Sequence, residues 1–298
     1  MRLRAMTSGA VIVTAMAAVS ALLLGATTGG SGERTLFGTA IKIGAGTARM
    51  FVDLARDGTP RALGVALSEA AMRDLPTRMN HTSRCFDKDG DKQMSHGECI
   101  GDYETTLALP NEATGLNLPV RYATVNWNPE GHAHPAPQVW SAPHFDFHFF
   151  LVEPSVINSI RPGSCGEIID CEDFKAARAP LPAEQHPADY IDVGAAVTAM
   201  GNHLIDSKDP ELANPGLGFS RTFIYGTFAG RMIFLEPMIS QAYLAKRLSE
   251  CTTIKTPAAW PTADYYPTSY CVRYDNKSAT YRITLEGLVR RATAKKSE

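Results

Sequence analysis

The sequence predicts a mainly β protein, antiparallel and hairpin-rich, with a few accessory α-helices and closure into a barrel as one option. Two observations carry this. Short runs of alternating apolar and polar residues recur in pairs around turn residues, and the regular strand–helix–strand spacing of a parallel sheet is missing.

The elements follow in order. "TARMFVDLARDGTPRALGVAL" reads as two strands joined at Asp57-Gly58. "SEAAMRDLP" reads as a short helix, capped by Ser68 and stopped by Pro76. "ETTLALP", "VRYATVNWN" and "PHFDFHFFLVE" alternate as strands, and "PSVINSI" and "EDFKAAR" are short helical stretches. "RTFIYGTFAGRMIFLEP" is a second hairpin, turning near Ala229-Gly230. "PMISQAYLAKRLSE" has helical spacing, with Pro237 at its first position. "YCVRYDN" and "ATYRITLEG" form a third hairpin.

At 298 residues with 44% hydrophobic and 20% charged residues, the composition is that of a folded chain. A formal charge of −2 provides no basic surplus for phosphate, so no nucleic-acid partner is expected. Arg2 and Arg4 precede the apolar run "AVIVTAMAAVSALLLGA" with no acidic residue before Glu33, the order of a secretory signal. Residues 1–26 are therefore read as a signal peptide or N-terminal anchor, 27–43 as a flexible leader, and 44–298 as one β-rich domain. Membrane contact is expected only through an uncleaved N-terminal segment.

The six cysteines fall into close pairs, Cys85/Cys99, Cys165/Cys171 and Cys251/Cys271. Six cysteines permit 15 connectivities, and sequential pairing is the expectation because each pair brackets a loop-like stretch. Disulfides agree with an exported location, periplasmic, cell-envelope or secreted.

Chemistry concentrates in "PHFDFHFF". As a strand it places His144, Asp146 and His148 on one face and Phe145, Phe147 and Phe149 on the other. Imidazole and carboxylate suit divalent transition metals, with zinc the first choice. Neighbours two apart lie roughly 6.5–7 Å from each other and can share an ion, whereas His144 and His148 lie about 13 Å apart on an extended strand. Further ligands must come from His203 in "MGNHLID", Glu236 in "FLEP", or His132 and His134 in "GHAHP". Asp146 could instead orient an imidazole.

A second motif, "DKDGDKQMSHGE", places Asp87, Asp89, Asp91 and Glu98 at calcium-loop positions. Lys92 stands where glycine belongs and no helices flank the loop, so calcium is disfavoured there. Nucleophile-elbow and phosphate-loop signatures are absent.

Taken together, "NWNPEGH", "PHFDFHFF", "MGNHLID" and "FIYGTFAGRMIFLEPMI" resemble a family of exported bacterial proteins classed as a domain of unknown function. The resemblance spans roughly Gly44 to Leu248. It implies that His132, His144, Asp146, His148, His203 and Glu236 belong to the shared core. His134 and the Asp87–Glu98 loop look like local elaborations, and the hairpin carrying Cys251 and Cys271 lies outside the shared region.

The expected function is an exported protein with a mononuclear metal site. Its ligands would be drawn from His144, His148, His203 and Glu236, with His132 as a further candidate. Asp146 or Glu236 would serve as general base in hydrolase or lyase chemistry on a small molecule. The alternative is a non-enzymatic cell-envelope protein, ligand-binding or assembling as a homo-oligomer.

Overall fold

Alternation along the strands builds two seven-stranded, wholly antiparallel sheets in the computed structural model, which describes residues 33–95, 97–132 and 139–291. The predicted signal peptide and His134 lie outside the described residues.

The first sheet runs in the order Tyr190–Val197, Gly201–Asp206, Arg221–Phe228, Arg231–Ser240, His144–Phe150, Tyr122–Asn128, Tyr103–Ala108. The second runs Arg34–Phe37, Gly46–Leu54, Pro60–Ser68, Thr280–Glu286, Ser269–Asp275, Glu250–Thr253, with Ile41–Ile43 also paired to Gly46–Leu54. Neither strand order closes on itself among the described residues, so the molecule is mainly β without barrel closure.

One apolar core joins the sheets. Phe145, Phe147 and Phe149 from the first share it with Met50, Val65 and Ile283 from the second. Burying each such side chain stabilises the fold by about 1.5–3 kcal/mol. The opposite face of the first sheet carries a second apolar cluster with Phe150, Phe234 and Met238, covered by Ile157 and Ala177 from the helices Pro154–Asn158 and Cys171–Ala177. His144, Asp146 and His148 lie on this covered face and are all buried. The period-2 pattern thus sends aromatics to one core and titratable groups into the other.

All three predicted hairpins form, as Gly46–Leu54 with Pro60–Ser68, Arg221–Phe228 with Arg231–Ser240, and Ser269–Asp275 with Thr280–Glu286. The last is no appendage, because Thr280–Glu286 pairs with Pro60–Ser68 at the centre of its sheet.

Three expectations need correction. The fold begins ahead of Gly44: Arg34–Phe37 pairs along Gly46–Leu54 and buries Leu36, so much of the supposed leader is sheet. Pro237 does not open a helix. It lies within the strand Arg231–Ser240, paired on both sides, and the helix is only Gln241–Leu244, capped by the Ser240 hydroxyl accepting from Tyr243 N–H at 3.1 Å. Pairing with two neighbouring strands outweighs the N-terminal preference of proline. Ser68 does not cap either. Its hydroxyl accepts from Thr47 N–H, and Glu69–Met72 is a single 3₁₀ turn.

The disulfides are Cys85–Cys99, Cys165–Cys171 and Cys251–Cys271, the sequential set. Disulfides of this kind contribute typically 2–4 kcal/mol each and belong to an oxidising compartment. Among the described residues no helix is long and apolar enough to cross a membrane.

Candidate metal centre

Three strands supply the titratable groups. His144, Asp146 and His148 project from His144–Phe150, Glu236 from the adjacent Arg231–Ser240, and His203 from Gly201–Asp206. His132 reaches the face from the loop after Tyr122–Asn128.

Each of the three strand histidines has its tautomer fixed by a neighbouring oxygen. His144 Nδ1 donates to the Ala142 carbonyl at 2.7 Å, and His203 Nδ1 to the Ala195 carbonyl at 2.9 Å. A carbonyl only accepts, so in both rings Nδ1 carries a proton and Nε2 is the atom left to face the site. For His148 the argument takes one more step. Asn126 Nδ2 donates to Asp102 Oδ2 at 2.5 Å and to Glu104 Oε2 at 3.2 Å, and carboxylates only accept. Asn126 Oδ1 must therefore face His148, accepting from Nδ1 at 3.2 Å. Outer partners that fix imidazole tautomers in this way are characteristic of metal-binding histidines.

Each Nε2 faces a carboxylate. His144 Nε2 lies 3.2 Å from Asp146 Oδ1, His148 Nε2 3.5 Å from Glu236 Oε1, and His203 Nε2 3.8 Å from Glu236 Oε2. His144 Nε2, His148 Nε2, Asp146 Oδ1 and Glu236 Oε2 are buried without a hydrogen-bond partner. Two acceptors facing each other in a dry site repel unless a proton or a cation lies between them. Ligand bonds of 2.0–2.2 Å at tetrahedral or octahedral angles separate donor atoms by about 2.9–3.5 Å. The shorter spacings fall in that range, and the His203 spacing is a few tenths of an ångström wide.

The expected ligand set divides in two. His148, His203 and Glu236 bring one donor atom each within 4.8 Å of one another, and His132, His144 and Asp146 do the same as a separate group. His144 and His148, four apart on an extended strand, do not converge. The single four-ligand cluster is not formed.

Electrostatics separate the groups further. Burial pushes His148 down to about 3 and His203 down to about 4, so both are neutral at physiological pH. Burial, reinforced by the nearby charge of Asp146, holds Glu236 well above the usual carboxylate range. Burial would also raise Asp146, but His144 and His132 outweigh it and hold the carboxyl well below its ordinary value. In His132, burial is likewise overcome by Asp146, and the ring is raised.

Aromatic packing holds the rings in place. Phe234 lies edge-on to His148 at 4.9 Å and 5.1 Å from His203. Its ring fits only because residue 226 is glycine, where a Cβ would sit 2.1 Å from the Phe234 ring. Gly226→Ala should therefore displace Phe234, destabilise the fold by about 1–3 kcal/mol and weaken divalent-ion binding. Thermal melts with and without zinc check this.

No family model, curated protein or solved structure matches the chain. The site must be read from its own atoms. Beside the predicted residues stand four that no sequence motif marks: Asn126, Asn128, Asp102 and Arg84. "TVNWN" does alternate Thr124, Asn126 and Asn128 onto one face, and strand pairing sets that face beside His148, Asp146 and His144.

The acidic loop behaves differently. Asp87, Asp89 and Glu98 converge, but their oxygens already accept from loop N–H groups, including Gly90, Lys92, Asp91, Lys88 and Ser95. Lys92 adopts φ 65°, the backbone that a glycine would favour. Strands Asn80–Cys85 and Cys99–Gly101 flank the loop in place of helices. Self-satisfied carboxylates closed by Cys85–Cys99 give a structural account of this loop without calcium.

Proposed function

We propose that this chain is an exported protein that binds a divalent transition metal, zinc as first choice, through His148, His203 and Glu236. The N-terminal signal pattern and the three disulfides support export to the periplasm, the cell envelope or the medium. The observation that carries the metal assignment is the pairing of fixed Nε2 lone pairs with a buried, unpartnered carboxylate oxygen. Two histidines and one glutamate form a set typical of catalytic rather than closed structural zinc sites, leaving a position open.

A bound ion would supply Lewis acidity at that open position. The chain's own contribution is to hold the two imidazoles neutral, orient them through Asn126 and Ala195, and exclude water with Phe234, Met238 and Ile224. The partly open cavity lined by His148, His203, Glu236, Ile224 and Met238 has a volume of about 50 Å3, small beside the roughly 300–1,000 Å3 of a pocket for an organic ligand. Ion binding is therefore the role it supports best.

Zinc titration of chelator-treated protein tests the reading. One ion bound at this triad and a melting temperature raised by zinc are expected, with His203→Gln abolishing both effects of that site. A melting curve unmoved by zinc or chelator, with no ion retained after dialysis, would remove the proposal.

A further inference from the structure

We infer that the same face of the sheet carries a second, separate divalent-cation site formed by His132, His144 and Asp146. It uses different atoms from the Glu236 site; its test distinguishes the failure of either site from that of the other.

The simplest account of these three residues is a buried ion pair, and it covers only part of the geometry. Asp146 Oδ2 is 3.2 Å from His132 Nε2 and accepts from Asn128 Nδ2 at 2.7 Å. That oxygen is fully accounted for. Asp146 Oδ1 is not: it is buried, without a hydrogen bond, and faces His144 Nε2 at 3.2 Å. His144 is fully buried and its Nδ1 donates to the Ala142 carbonyl, so Nε2 is the ring atom left to share a cation with Oδ1. The separation is that of two ligands on one cation. The His132 ring lies edge-on to His144 with centroids 4.6 Å apart, bringing its Nε2 into the same group of donor atoms.

Access comes through His132. Its side chain keeps 28% of its surface exposed, whereas that of His144 is wholly enclosed. His132 and Asp146 line the same cavity as His148, His203 and Glu236. Two ions would therefore be held at separate positions along one wall, each by two imidazoles and one carboxylate. Asp146 uses Oδ1 toward His144 and Oδ2 toward His132, so it does not bridge to the other group. The two positions share no ligand atom, so each can be removed by substitution without deleting a ligand of the other.

The test is stoichiometry on the full chain with its disulfides formed. Equilibrium dialysis against zinc, followed by elemental analysis, is expected to give two ions per chain. Asp146→Asn and His132→Gln should each reduce this to one, and Glu236→Gln should remove the other. His132 is partly exposed, so its variant is expected to fold even if substitution at Asp146 is not tolerated; circular dichroism and melting curves check both. Cobalt titration of the variants provides a second readout, since each remaining site contributes its own visible absorption.

One ion in the parent protein, unaffected by the Asp146 and His132 variants, would overturn this inference and leave the Glu236 site standing. One ion lost equally to variants of either group would mean a single shared site and overturn it also. One ion lost only to the His132 and Asp146 variants would uphold it and remove the proposal for Glu236. No ion bound by the parent would remove both.

Discussion

Glu236→Gln should raise the melting temperature of the metal-free protein at neutral and alkaline pH while abolishing the stabilisation expected from zinc at the proposed triad. Both effects arise from one buried carboxyl. Glu236 is 1% exposed, and its Oε2 has no hydrogen-bond partner. Burial, with Asp146 nearby, raises its folded-state pKa well above the usual value of about 4.5.

The sign follows from linkage. A carboxyl whose folded pKa is raised binds more protons in the native state than in the unfolded chain. Its stabilising contribution is complete below the ordinary value and is lost as pH rises through the elevated one. Glutamine has the same shape and no proton to lose, so the variant's melting temperature should fall less between pH 5 and pH 9. Removing a buried, poorly partnered acid is worth on the order of 1–3 kcal/mol.

Metal binding runs the opposite way. Under the proposed reading, a cation would replace the proton on Glu236 in the parent protein and satisfy His148 and His203 together. Zinc at 100 times its dissociation constant should then add about 2.7 kcal/mol to stability. The variant should lose affinity at this triad by more than the roughly 10–100-fold associated with removing an outer partner of a ligand. Calorimetric melts over that pH range, with and without zinc, measure both arms. A variant that is less stable than the parent when metal-free, yet still stabilised by zinc at this triad, would show that Glu236 is not a ligand.

The β class, the three hairpins and the disulfide pairing are legible in the sequence because they depend on local signals. Period-2 alternation, Asp57-Gly58, Ala229-Gly230 and short cysteine spacings all act within one hairpin or loop. The division of the histidines is not legible, because it depends on strand order. Glu236 lies 88 positions from His148 in the chain, and only the pairing of Arg231–Ser240 with His144–Phe150 brings them together. Strand geometry indicates that His144 and His148 share an ion only through a bend, and the two fall into separate donor groups. Pro237 misleads for the complementary reason: its local preference is real, but two neighbouring strands override it. The outer partners were hidden by ordinariness, since an asparagine in a strand carries no mark of the imidazole it orients.

Arg84→Met should lower the melting temperature by on the order of 10 °C and weaken zinc binding at His148 about 10–100-fold. Arg84 forms no hydrogen bond or ion pair with His148, His203 or Glu236. It pairs with Asp102 and, at 3.1 Å, with Glu104, while Asp102 accepts from Asn126 Nδ2 and Asn126 orients His148. Asp102 is 3% exposed, so removing its cation strands a buried charge, at a cost of about 3–5 kcal/mol. The chain places Arg84 beside Cys85, whose disulfide to Cys99 ties this segment to the strand Cys99–Gly101, two residues ahead of Tyr103–Ala108. A surface strap is thus joined to the buried face by one guanidinium. The double variant Arg84→Met/Asp102→Asn distinguishes this from a simple packing loss. A neutral amide at 102 carries no stranded charge and still offers an oxygen to Asn126. Most of the stability and most of the zinc affinity should therefore return together, with a coupling energy of about 0.5–3 kcal/mol. If the double variant is no more stable than Arg84→Met alone, the loss lies in the side chain's volume and the link from Arg84 to His148 is broken.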